Sequence, residues 1–274
     1  MSQLEELMNT PITIGKKSTI ADVTKIMLDK KVGRVLITEN QKITSIVTEK
    51  DLGLFLLKDK SDRTLQQIPL SELTKPILTI SQFTDIQKCA KTMFENSIGS
   101  LGVMSKNKDI VGIITKTDLV RYFAKNHQNE KIVGDHMSAH YYWIYWDTIL
   151  SKVFSKMSEN RISRLIVRNK DDIPIGIIAF RDLFNLVMSM GSQRDIIFPK
   201  SFESEQGLGK TLQADEVMRN EIITVSYYDD LAKACQLLLD NKINGVGVLS
   251  DKGDLIGILS KTDIIKAISI LNYA

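Results

Sequence analysis

Gly112-Ile113-Ile114-Thr115-Lys116-Thr117-Asp118 runs from an apolar, β-branched stretch into a hydroxyl residue, two spacers and an aspartate. The same ending, with a hydroxyl or small residue at that place, returns as Ser45-Ile46-Val47-Thr48-Glu49-Lys50-Asp51, Gly176-Ile177-Ile178-Ala179-Phe180-Arg181-Asp182 and Gly257-Ile258-Leu259-Ser260-Lys261-Thr262-Asp263. The aspartates lie 67, 64 and 81 residues apart. That is a domain-sized period, so the chain reads as four copies of one supersecondary unit.

Working upstream from each copy gives the rest of the unit. A short β-branched run opens it, such as Ile77-Leu78-Thr79-Ile80 or Ile222-Ile223-Thr224-Val225, the composition of a strand. An amphipathic segment follows with apolar pairs seven residues apart: Ile20 and Met27, Ile86 and Met93, Leu150 and Met157, Leu231 and Leu238. That separation puts both members on one helix face. A second strand enters through Val32-Gly33-Arg34, Ile98-Gly99-Ser100, Ile162-Ser163-Arg164 and Ile243-Asn244-Gly245. The quoted stretch then supplies the third strand and the start of a closing helix. The order is β-α-β-β-α, an α/β repeat. The expected bounds are 1–60, 68–128, 131–190 and 211–274, with a Gly-, Ser- and Pro-containing linker over 191–210.

The copies alternate. Arg34 and Arg164 match each other where the second and fourth copies have Ser100 and Gly245. The residue before the aspartate is Lys50 or Arg181 in odd copies and Thr117 or Thr262 in even ones. A two-repeat unit that was itself duplicated explains this.

Composition bounds the function. Of 274 residues, 43% are hydrophobic and 25% charged, and 36 basic against 33 acidic side chains leave a formal charge of +3. Disordered and fibrous classes are excluded by that balance. It also argues against a nucleic-acid or anionic-membrane binder, which would show a basic excess. No apolar run approaches the roughly 18 residues of a membrane helix, and the start of the chain is acidic, so a cytoplasmic location is expected. Cys89 and Cys235 make neither a disulfide framework nor a zinc set and read as buried reduced thiols.

These four units resemble cystathionine-β-synthase-type (CBS) domains, which pair into Bateman modules. The resemblance spans nearly the whole chain and is similar in layout to the gamma subunit of AMP-activated protein kinase and to prokaryotic, especially archaeal, four-repeat proteins. It implies four CBS repeats paired into two modules, divided near residue 130, in a disc-like pseudo-symmetric arrangement. It also implies a non-catalytic regulatory protein that binds AMP, ADP or ATP between paired repeats and acts as an energy or ligand sensor on an unidentified protein partner. Two copies could associate through the aromatic surface of Tyr141, Tyr142, Trp143, Tyr145 and Trp146.

On this resemblance Asp51, Asp118, Asp182 and Asp263 accept hydrogen bonds from ribose hydroxyls. Two charge-assisted bonds at roughly 1.5–3 kcal/mol each supply about 3–6 kcal/mol. Thr48, Thr115 and Ser260 bond phosphate or ribose at a helix N-terminus that favours an anion. Backbone groups around Thr13, Thr79 and Thr224 read the base edge, and Arg34 faces phosphate. Even copies would borrow Lys50, Arg164 or Arg181. The third copy departs from the pattern: Ala179 lacks the hydroxyl, and Trp143 stands where the others have threonine, an indole that could stack on a base but is expected to fill or alter the base pocket.

Three other readings stand beside this one. Ser/Thr-x-x-acid before a helix is also an N-terminal capping box, worth about 1 kcal/mol without any ligand. S-adenosylmethionine or methylthioadenosine could replace the nucleotide, leaving Arg34 idle. The repeats could also be a scaffold, or a nucleic-acid-associated regulator with vestigial clefts. No catalytic residue, metal site or cofactor is expected: the sequence has no Walker-type loop, no nucleophile triad and no metal cluster. His136 and His140, four apart, lack a third ligand and read as surface residues.

Overall fold

In the computed structural model, residues 3–58, 61, 63–191 and 208–271 are described; most of the expected 191–210 linker lies outside them. The first repeat contains β1 (Thr13–Gly15), α2 (Ile20–Asp29), β2 (Arg34–Glu39), β3 (Lys42–Thr48) and α3 (Glu49–Lys58), preceded by the short α1 (Gln3–Leu7). In the second, a two-residue strand β4 (Lys75–Pro76) leads to β5 (Thr79–Ser81), α4 (Ile86–Glu95), β6 (Ser100–Met104), β7 (Ile110–Thr115) and α5 (Lys116–Asn126). The third has β8 (Trp143–Tyr145), α6 (Leu150–Glu159), β9 (Arg164–Arg168), β10 (Pro174–Ala179) and α7 (Phe180–Gly191). The fourth follows α8 (Leu208–Thr211) with β11 (Thr224–Ser226), α9 (Leu231–Asp240), β12 (Gly245–Leu249), β13 (Leu255–Ser260) and α10 (Lys261–Ser269). The β-α-β-β-α order is therefore present four times.

In each sheet the first and second strands run parallel and the second and third antiparallel. The first strand is an edge. One turn geometry positions the second strand in all four repeats. Lys31, Ser97, Arg161 and Lys242 sit just past the first helix at φ of 54°, 53°, 54° and 52°. The next amide, of Val32, Ile98, Ile162 or Ile243, donates back to Met27, Met93, Met157 or Leu238. This is a Schellman closure whose apolar residue fixes the entry into the strand.

The helix pairs expected from sequence are core residues: Ile20, Met27, Ile86, Met93, Leu150, Met157, Leu231 and Leu238 are all 2% exposed or less. A repeat of this size buries a modest share of its apolar surface and is marginal alone. Contacts accordingly group like repeats. Met1–Pro11, Ile77–Tyr141 and Ile223–Ala274 form one compact unit, holding the second and fourth repeats; Ile12–Pro76 and Tyr142–Ile222 form the other, holding the first and third. This division interleaves along the chain. In the first unit α4 packs on α10 and α5 on α9, around Phe123, Leu119 and Ile264; in the second α3 meets α7.

The segments ahead of each first strand are exchanged. Asn9, before the first repeat, exchanges backbone hydrogen bonds at 2.9 Å with Ile113 on β7 of the second. Lys75 and Pro76, before the second repeat, pair with Ile46 and Ser45 on β3 of the first. Ser138 pairs with Ile258 on β13, and Arg219 with Ile177 on β10. Each leader thus adds to the sheet of the repeat adjacent in sequence. At three of the four, a methionine seats on a glycine of the receiving strand: Met8 on Gly112, Met218 on Gly176 and Met137 on Gly257.

Among the described residues no helix is long and apolar enough to cross a membrane. Cys89 and Cys235 are buried and unpaired, and burial pushes the Cys89 thiol up to about 12.

Candidate ligand-binding sites

Each candidate site forms where the third strand turns into the closing helix, and the four aspartates take up the same position there. In the first repeat, the Thr48 amide and hydroxyl both donate to Asp51 Oδ2, at 3.2 and 2.6 Å. Thr115 makes the matching pair to Asp118 Oδ2 at 2.9 and 2.7 Å. Ser260 does the same to Asp263 Oδ2 at 2.7 and 2.6 Å. In the third repeat the Ala179 amide donates to Asp182 Oδ2 at 2.8 Å, with no hydroxyl to join it. The capping arrangement weighed on the sequence is therefore built, and it engages one carboxylate oxygen per aspartate.

The other oxygen, Oδ1, meets a different group in each repeat. Lys75 Nζ lies 2.5 Å from Asp51 Oδ1. Arg121, one turn along α5, donates to Asp118 Oδ1 at 2.9 Å. Arg219 donates to Asp182 Oδ1 through Nε and Nη2, at 3.1 and 2.7 Å. The Ser138 hydroxyl donates to Asp263 Oδ1 at 2.9 Å. Three of these partners, Lys75, Ser138 and Arg219, are the same exchanged leader residues that pair with the third strand. Sequence reading missed them. The signal was there, since each stands four or five residues ahead of its own first strand.

Arg34 is directly across β2–β3 from Thr48, and Arg164 across β9–β10 from Ala179; Ser100 and Gly245 hold these places opposite Thr115 and Ser260. Arg34 thus faces the residue three before Asp51, and Arg164 the residue three before Asp182. Thr13, Thr79 and Thr224 pair with Leu36, Gly102 and Gly247 on the second strand. In this parallel register it is the preceding carbonyl, of Ile12, Leu78 or Ile223, that accepts the sheet bond at 2.9 Å. The backbone groups of the threonines themselves turn to the open edge.

The third repeat differs at this edge. Trp143 occupies the threonine position, and its carbonyl accepts from Lys156 Nζ at 2.7 Å. The Arg168 guanidinium lies 4.7 Å and Lys156 Nζ 5.5 Å from the indole centroid, both within cation–π range. Of the other aromatic residues, Tyr142 and Tyr145 are exposed, and the Tyr145 hydroxyl bonds Asp172 at 3.2 Å.

Arg181, an expected phosphate partner, is engaged by Glu49 Oε2 at 2.8 Å. In the other unit Lys116 Nζ donates to Thr262 and Lys261 Nζ to Thr117, at 2.9 and 3.1 Å. His140 is exposed as expected, and His136 is half-buried. Its Nε2 is buried with no hydrogen-bond partner among the described residues, and burial holds its pKa below the usual imidazole value. No cluster of three metal-ligating side chains occurs among the described residues.

The CBS-domain profile matches residues 4–57, 70–125, 133–189 and 214–270, one match per repeat. This chain belongs to the CBS-domain family. It is 21% identical over 277 aligned residues to protein MJ1225 of Methanocaldococcus jannaschii, covering 93% of this chain and 94% of that one. To protein MK0525 of Methanopyrus kandleri it is 32% identical over 111 residues, 40% of this chain and 49% of the other. The crystal structure of MJ1225, described with a proposed kinship to g-AMPK, superposes with a TM-score of 0.80 at 20% identity, covering 96% of this chain and 98% of the other. A conserved protein from Pyrococcus horikoshii superposes with a TM-score of 0.68 at 18% identity, over 98% of this chain and all of the other. These likenesses extend the fold over the full four-repeat length.

Proposed function

We propose that the chain is a non-catalytic regulatory protein that binds AMP, ADP or ATP at its CBS repeats and signals their level to a protein partner. One observation carries the reading. Every repeat fixes an aspartate with one carboxylate oxygen held by the helix cap and turns the other toward polar and basic side chains. A ribose diol needs such an oriented acceptor. Capping alone does not call for a leader residue from another repeat at the second oxygen.

The first repeat is the most complete site. Asp51 takes the sugar, Thr48 holds Asp51 in place, Arg34 faces the phosphate, and the edge backbone at Thr13 reads the base. Asp118 with Thr115 and Thr79, and Asp263 with Ser260 and Thr224, supply the second and fourth. In the third, the Trp143 carbonyl accepts from Lys156, so a base has lost its acceptor there, and that pocket is altered. A nucleotide can shift a regulatory equilibrium only by its differential affinity for two states, typically about 1–3 kcal/mol.

A phosphate-free adenosyl ligand, S-adenosylmethionine or methylthioadenosine, is favoured at the even repeats by one feature: Ser100 and Gly245 replace the arginine. Equilibrium titration with AMP and methylthioadenosine, repeated with Arg34→Ala for the first repeat and with Asp118→Ala for an even one, separates the two readings. A nucleotide site at the first repeat loses AMP affinity in Arg34→Ala while methylthioadenosine is unaffected.

A further inference from the structure

Resting on the reading of Asp51 as the sugar acceptor, we infer that Lys75, carried into the first repeat by the exchanged leader, makes that site selective for phosphorylated ligands over bare nucleosides. Asp51 Oδ2 is satisfied by the Thr48 amide and hydroxyl, so a sugar must use Oδ1. Oδ1 is bonded to Lys75 Nζ at 2.5 Å. The carboxylate is only 13% exposed, whereas the lysine side chain is 65% exposed. The carboxylate is therefore fixed and the ammonium is the movable partner.

Displacing an ammonium from a carboxylate leaves a charge that needs a new counter-ion. The ammonium side of this pair stands largely in water, which screens the attraction and lets the lysine exchange. A nucleoside offers nothing in return. A nucleoside phosphate supplies an anion on the same molecule, and the flexible four-carbon stem lets the ammonium move to it. Arg34, opposite Thr48 on the neighbouring strand, stands on the same side of the exchange. Arg219 on Asp182 is the counterpart in the third repeat, where a fork through two nitrogens holds the oxygen. Asp263 meets only the neutral Ser138 hydroxyl from its leader, and this selection is absent there.

The test is calorimetric titration of the full chain with AMP and with adenosine, in wild type, Lys75→Met and Lys75→Arg. The first-repeat site is identified as the one lost in Asp51→Asn, and circular dichroism and melting verify folding. Wild type prefers AMP, and Lys75→Met narrows that preference by about tenfold or more, partly through tighter adenosine binding. Lys75→Arg retains the preference. An unchanged preference in Lys75→Met, with the Asp51-dependent site intact, overturns the role of Lys75 and leaves Asp51 as the sugar ligand. If no site depends on Asp51, the underlying reading fails and Lys75 falls with it.

Discussion

The amide of Ala179 donates to Asp182 Oδ2 at 2.8 Å, although residue 179 has no hydroxyl to complete a capping box. The aspartate keeps its place when half of the capping exchange is removed. In the other repeats the hydroxyl reinforces the same geometry, at 2.6 to 2.7 Å. Capping and ligand binding therefore do not compete for the same atom: Oδ2 belongs to the helix, and Oδ1 to whatever approaches it.

Substituting these aspartates separates the two roles. Asp51→Ala costs about 1 kcal/mol of stability through the lost cap and weakens nucleotide binding by roughly 10²-fold. Asp182→Ala carries a similar stability cost with little loss of nucleotide affinity, because Lys156 holds the Trp143 carbonyl in that repeat. Thermal melts and titrations on both variants check the contrast.

At the edge of the third repeat, Lys156 donates to the Trp143 carbonyl, and Lys156 and Arg168 lie against the indole. Trp143→Thr combined with Lys156→Ile restores the threonine of the other repeats and removes the ammonium from the carbonyl. The number of adenine-nucleotide sites counted by calorimetry then rises by one.

The leader seats are tightly packed. A Cβ on Gly176 would meet Met218 Sδ at 2.6 Å and the Arg219 carbonyl oxygen at 2.7 Å, and the latter is backbone that cannot turn aside. Gly176→Ala lowers stability by about 1–3 kcal/mol in denaturant unfolding. Gly176→Ala combined with Met218→Ala recovers only part of it, since the carbonyl contact remains.

His136 gives the protein an acid-side slope. Burial disfavours its charged form, with Lys131 acting in the same direction, so its folded pKa lies below the unfolded value near 6.5. The unfolded chain then binds more protons between the two values. Stability is full above about pH 6.5 and declines as pH falls toward the folded pKa. His136→Gln flattens the dependence of the melting temperature over this window; an unchanged slope would assign it to other groups.

The repeat, its element order and its core were legible because they rest on local patterns. A spacing of seven placed Ile86 and Met93 on one helix face, and both are buried. The aspartates and their capping hydroxyls are three residues apart and could be read together. The leader groups at Oδ1 were harder to read, because Lys75 and Arg219 reach aspartates 24 and 37 residues away, and only their constant offset ahead of a first strand marks them. The partial burial of His136 went unread for the same reason, its environment being tertiary. The grouping of like repeats into compact units was also hidden, since amphipathic helices declare an apolar face without naming its partner.

The most direct measurement is a calorimetric titration of the full chain with AMP, ADP, ATP and S-adenosylmethionine, counting sites as well as affinities, beside Asp51→Ala. The account predicts one to three adenine-nucleotide sites, at least one of them lost in the variant while the fold persists. Failure of all four compounds to bind a folded protein would contradict it, leaving the four aspartates as helix caps alone.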